Sequence, residues 1–307
     1  MSVARQEFAE NLKGVREAIS LEPIAQGSLG AAISPGIVVL RRGMMVASLI
    51  ALEGFIRDRT NEITVKFQDW PRAFDDLPSK LRMAARLEAL GHLQKFSRVL
   101  KRQGEDYEAE LRSELAKMVS GHGTVLQLTR FVAGDFTGNL SATGLGDLLK
   151  AFQVFHYWEG FRSLASDTGF GVPSVEEVVK NIVTWRHKSA HVPGYVPNAS
   201  DIIELDKKLL CVAMCFDVAL TAAAQAAIET SSEWLDDGFD WTKRYVLYLS
   251  EFVGSKYRIS KYGAKRAAAI VDNIGLSKER LPNAGAGKIR VVVENDQSGL
   301  PTAWQIL

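Results

Sequence analysis

The chain predicts a mainly α protein with a small C-terminal α+β region, on three observations. A mainly apolar run over residues 37–63 keeps Met44, Leu49, Ile50, Leu52, Phe55 and Ile56 at approximately helical spacing. Ser174-Val175-Glu176-Glu177, directly after Pro173, has the form of a capping box at the head of another helix. Near the end, Val291-Val292-Val293 reads as a strand, Asp296-Gln297-Ser298-Gly299 as a turn and residues 302–307 as a returning strand. With 307 residues and a hydrophobic fraction of 47%, the chain can build a real core as one large domain or two.

Taken in order, residues 1–7 are polar and include an acid, which excludes an apolar secretory leader there and sets a cytoplasmic expectation. Pro35-Gly36 opens the long apolar helix, in which Glu53, Arg57, Asp58 and Arg59 form a polar interruption. Trp70-Pro71 and Leu77-Pro78 bracket a turn-rich connection. Residues 79–118 then read as one helix with leucines on one side and Arg82, Arg86, Lys95, Arg98, Lys101 and Arg102 as a solvated basic face. The glycines of residues 121–147 suit loops and caps. No strand-GxGxxG-helix arrangement and no phosphate-binding Gly-Lys-Ser/Thr ending occurs, which excludes an ordinary nucleotide site.

Residues 148–164 read as a helix whose Phe152, Phe155, Trp158 and Phe161 form a core seam. The next helix starts near Val175 and must stop at or just after Ala190, because Pro193 drives Val192 out of the α region. Residues 201–234 read as a further long helix. Its apolar stretch 209–228 approaches the length of a membrane span, but Asp217, Gln225 and the unsuited flanks favour a buried core helix and no membrane. Cys211 and Cys215, the only cysteines, sit in that segment as buried thiols of a reducing compartment.

A composition change near residue 236 divides the chain into a helical domain, 1–235, and a small basic region, 236–307. Overall charge is nearly balanced, with 37 Lys and Arg against 36 Asp and Glu, so any RNA contact must be local. Residues 241–270 carry seven Lys or Arg and one acid, Glu251, interleaved with Tyr245, Tyr248, Tyr257 and Tyr262. That mixture suits phosphate contact with base stacking, so Lys243, Arg244, Lys256, Arg258 and Lys261 are candidate RNA contacts; a small packed subdomain is the alternative.

The sharpest chemistry lies in Arg186-His187-Lys188-Ser189-Ala190-His191. Arg186 supplies a permanent planar cation for phosphate oxygens, and His191 belongs to the residue type that exchanges protons near neutral pH. His187 and His191, four apart, could also hold zinc. Lys188, however, stands where a zinc-protease helix needs its glutamate and no third ligand is evident, so no metal or other cofactor is expected. A five-residue offset turns Arg186 and His191 about 140° and roughly 7.5 Å apart on an ideal helix. They need a phosphate, or a second chain, between them.

Arg186, a polar His187, three further residues and His191 resemble the Arg-polar-x3-His motif of HEPN domains, of the RiboL-PSP-HEPN-like ribonuclease type. The resemblance covers 173–229 most closely and the helices from residue 37 more loosely; the basic tail is outside it. It implies a HEPN-like helical bundle with inserted helices, and metal-independent RNA cleavage by 2′-hydroxyl attack. In that reaction His191 is the acid-base residue, Arg186 steadies the phosphate, and His187 or Lys188 assists. It also implies a homodimer with a composite site, an acidic residue on an earlier helix, for which Glu53 is the candidate, and a toxin or antiviral-defence role against tRNA or mRNA with an antitoxin or activating partner. A non-catalytic HEPN-like dimer that binds a protein or nucleotide is the alternative.

Overall fold

A computed structural model describes residues 2–26, 33–120, 125–133 and 140–307. Two long antiparallel helices begin the fold, α1 (Val3–Gln26) and α2 (Pro35–Lys66). In α1, Ala4, Phe8, Leu12 and Val15 recur three or four apart and are its buried face. Polar contacts pin both ends of the pair: Glu62 accepts from Ser2 Oγ (2.6 Å) and the Ala4 amide (2.9 Å), and Arg41 pairs with Glu22. At the head of α2, Ser34 Oγ accepts from the Ile37 amide and Pro35 fills the first turn.

The helix expected over 79–118 is two. A segment comprising α3 (Ser79–Met83), one π-turn (Ala84–Glu88) and α4 (Ala89–Gln103) ends at Gly104, whose φ of 75° only glycine adopts cheaply. Asp106 then caps α5 (Tyr107–Val119) by accepting from the amides of Glu108 and Ala109. The helix expected over 148–164 also divides, into α6 (Ala142–Ala151) and α7 (Tyr157–Asp167), because Gln153 and His156 turn the chain through positive φ. Gly121, Gly123, Gly134 and Gly138 lie outside the described residues, while Gly144 and Gly146 belong to α6 rather than to a loop. Following α8 (Val175–His191), the stretch expected as one helix is α9 (Ala199–Ile203), α10 (Leu205–Glu229) and α11 (Ser231–Trp234).

The centre of the molecule is α10. It and α2 are long and apolar enough to cross a membrane, yet the apolar window of α10 is 94% buried inside this protein, whereas that of α2 is only 39% buried. Asp217, fully buried on α10, accepts from Arg59 Nε (2.6 Å), Arg5 Nε (2.5 Å), Trp304 Nε1 (2.8 Å) and Thr221 Oγ1 (3.0 Å). One carboxylate thus ties α1, α2, α10 and the last strand together.

The C-terminal region is a five-stranded sheet in the order β3-β2-β1-β4-β5. Its strands are β1 (Tyr245–Val253), β2 (Lys256–Lys261), β3 (Ala267–Val271), β4 (Ile289–Asn295) and β5 (Pro301–Ile306); β1 and β4 are parallel and the other neighbours antiparallel. The terminal hairpin read from the sequence is present as β4–β5, with Val293 opposite Trp304 and Asp296 Oδ1 holding the turn through the Ser298 and Leu300 amides. One sheet face places Leu247, Ile289, Val291, Val293 and Trp304 in the same core as the helices. The opposite face closes a smaller core of Tyr248, Ile259 and Val292 under Ile274 and Leu281.

Gly160 of α7 lies against the fully buried Trp241 ring: a Cβ there would stand 2.2 Å from Trp241 Cζ2. Trp241 also donates from Nε1 to the Phe155 carbonyl, so it cannot swing aside without losing that bond. Gly160→Ala should therefore cost about 3 kcal/mol, the upper part of the usual overpacking range, and thermal unfolding would check it.

Candidate functional site

Local sequence explains the motif helix at both ends. Ser174 Oγ accepts from the Glu177 amide, opening α8, and Val192 leaves it extended at ψ 112° ahead of Pro193. Val175, Val178, Val179 and Ile182 bury one side of the helix. The last turn docks on α2, where Arg42 Nε donates to the Ser189 carbonyl at 2.7 Å and satisfies a helix-end acceptor. Arg41 donates to the Pro197 carbonyl just beyond.

At this end His187 and His191 stand exposed with ring centroids 5.1 Å apart. Arg186 follows the geometry expected from its offset: it is half-buried, on the side of the helix near Ser189, with its Nε buried and unpartnered among the described residues. Lys188 is exposed, its Nζ 5.8 Å from the Tyr195 ring centre. Trp185, one residue before Arg186, takes Lys208 over its ring at 5.0 Å. The fold therefore brings the two imidazoles and Lys188 to one exposed helix end, and turns Arg186 toward the body of its own chain.

Glu53 does not join them. Its Oε1 accepts from the Leu140 amide at 2.7 Å, and it lies eleven residues beyond Arg42 on α2, about 16 Å along the axis. The residue at the motif that sequence reasoning missed is Arg42; only docking of α8 on α2 selects it, and nothing in the local sequence marks it.

Part of the basic tail's charge is paired within the fold. Lys243 pairs with Asp240 (3.2 Å), Arg244 with Glu233 (2.5 Å) and Lys256 with Asp272 (3.3 Å), so acids outside or at the margins of the 241–270 window neutralise part of its charge. Lys243 and Arg244 precede β1, whereas Lys256 and Arg258 lie on β2, the latter donating to the Lys265 carbonyl at 3.4 Å; Lys261 is exposed at the end of that strand. Of the tyrosines offered for base stacking, Tyr248 is in the small core and Tyr245 packs against the main one. Tyr257 tilts against Phe252, and Tyr262 is exposed, its phenol proton held on by the neighbouring Asp167 carboxylate.

Among the described residues no group of three or more His, Cys, Asp and Glu side chains is placed to hold a metal ion. Compared with protein-family models, curated proteins and solved structures, the chain matches none.

Proposed function

We propose that this protein is a metal-independent endoribonuclease of HEPN type, acting in the cytoplasm as a toxin or antiviral-defence effector on tRNA or mRNA. The observation that carries the reading is the pair of exposed imidazoles 5.1 Å apart at the C-terminal end of α8, with Arg186 in the same turn. Cleavage by 2′-hydroxyl attack requires one group to accept the 2′ proton and another to protonate the departing 5′ oxygen. Two neighbouring histidines can divide those roles. As the new P–O bond forms and the old one breaks, negative charge grows on the phosphoryl oxygens, which Arg186 and Lys188 would stabilise. The products are a 2′,3′-cyclic phosphate and a 5′-hydroxyl, so the step balances without water or metal. A homodimer supplies the facing motif, and an antitoxin or activating protein is the expected partner.

One observation favours the second reading, a non-catalytic HEPN-like module binding a protein or nucleotide. Arg186 and His191 point to different sides of α8, so one chain alone does not close them on a single phosphate. Incubating the purified protein with total RNA in EDTA separates the two. Fragments with cyclic phosphate ends support the nuclease; intact RNA under dimer-forming conditions supports the module.

A further inference from the structure

An exposed face of α2 and the chemistry of its flanks point to a partner. Gly36, Val39, Gly43, Ala47, Ile50 and Gly54 recur three or four apart, which places them on one side of the helix. Val39 is 71% and Ile50 56% exposed, and the face continues into a groove of about 960 Å³ between α1 and α2. The glycines have no use inside the chain. A Cβ at Gly43 would meet nothing within 4 Å, those at Gly36 and Gly54 only the tips of Ser34 and Arg57 at 3.8 and 3.9 Å, and none of the three has positive φ. Gly43 and Gly54 each cost about 1 kcal/mol against alanine in a helix interior, so two of them on one face call for a close neighbour outside the chain.

We propose that this neighbour is α2 of a second copy, packed antiparallel across a twofold axis between Val46 and Ala47. In that register every large residue meets a glycine: Val39 faces Gly54 of the other copy, Ile50 faces Gly43, and Arg57 faces Gly36. Glycines opposite branched side chains let helix axes approach closely. Charge agrees with size. Arg42 and Glu53 flank the face on the same side, about 80–100° round the helix, and Glu53 of one copy comes within two residues, about 3 Å along the axis, of Arg42 of the other.

The twofold axis lies in the contact plane, between the helices and perpendicular to both, so it keeps these flanks on one side of the dimer. Arg42, which holds the end of α8 through Ser189, lies four to five residues from the axis, about 7 Å. Both motif ends therefore border one cleft, and Glu53, remote from the motif in its own chain, is delivered beside the motif of the other. This last step rests on the ribonuclease reading; the helix pairing does not.

The test is analytical ultracentrifugation of the full chain, with Ile50→Glu as the disrupting variant. Wild type should sediment at twice the 33.8 kDa chain mass. Ile50→Glu, altered at an exposed position, should melt at the wild-type temperature and dimerise about a hundredfold more weakly, since two carboxylates then face glycine backbone. Register is read by oxidised-glutathione cross-linking. Ala47→Cys should link to itself, whereas Gly43→Cys, whose two copies lie about 10 Å apart along the axis, should not; native Cys211 and Cys215 are buried and silent.

A monomeric wild type, a dimer indifferent to Ile50→Glu, or cross-linking of the Gly43→Cys variant but not of Ala47→Cys would overturn the pairing. A monomer that co-sediments with phosphatidylcholine vesicles would make the face a membrane contact instead. His191→Ala should dimerise normally, so a seam-dependent dimer that never cleaves RNA refutes the ribonuclease and leaves the seam standing. Cleavage at full rate by monomeric Ile50→Glu would refute the shared cleft.

Discussion

Replacing Asp217 with alanine should cost about 3–5 kcal/mol in chemical denaturation, a large fraction of the stability of an ordinary domain. The carboxylate is fully buried and receives Arg59, Arg5, Thr221 and the Trp304 indole, and Arg59 is itself only 4% exposed. Removing it leaves a buried guanidinium with Glu62 as its remaining carboxylate, and the C-terminal strand loses its indole anchor. The same group makes the fold acid-sensitive. Burial pushes the Asp217 carboxyl up, but Arg59 and Arg5, with hydrogen bonds from Arg59 and Trp304, outweigh it and hold it down to about 2. A depressed value means stability that is fully present above the unfolded value of 3.8 and is lost as pH falls through about 2. Roughly 2 kcal/mol should vanish between pH 4 and 2, and Asp217→Asn should flatten the stability profile in that window. An unchanged profile in the variant would remove the network from the account of stability.

His191→Ala should lower RNA cleavage by about 10²–10⁴-fold, the usual contribution of a positioned general acid or base, while the melting temperature stays put. Structure supports the second half: the His191 ring is exposed and its ring neighbour is the equally exposed His187. His187→Ala should have a comparable effect if the two rings divide the proton transfers, and a tenfold or smaller one if His187 only orients the backbone. Arg186→Lys keeps the charge but loses the planar fork, so its loss should fall in kcat with the cyclic-phosphate product unchanged. Full activity in His191→Ala would end the assignment.

Much of the helical frame was legible because its causes are local. The Ser174 cap and Pro193 stop bracket α8, apolar spacing marks α2, and the Asp296 turn joins β4 to β5. Where local signals were overrun, the break lay in one or two backbone positions: Gly104 splits one expected helix, while Gln153 and His156 split another. The candidate site was legible as a string of residues but not as an arrangement. Seven basic residues along 241–270 read as a patch, and the fold places them ahead of β1, on β2 and in the β2–β3 connection and pairs several with acids such as Glu233 and Asp272.

What the sequence determined by itself is therefore the mainly helical class, the limits of the motif helix and the hairpin at the end, since capping, turn chemistry and periodicity act over three or four residues. What only the tertiary structure decided is who meets whom. Arg59 finds Asp217 across 158 residues, Arg42 finds the end of α8 across 147, and α2 keeps one apolar face uncovered while burying the other. Those outcomes depend on how helices pack in three dimensions, and side-chain spacing along one element carries no information about which neighbour will cover it.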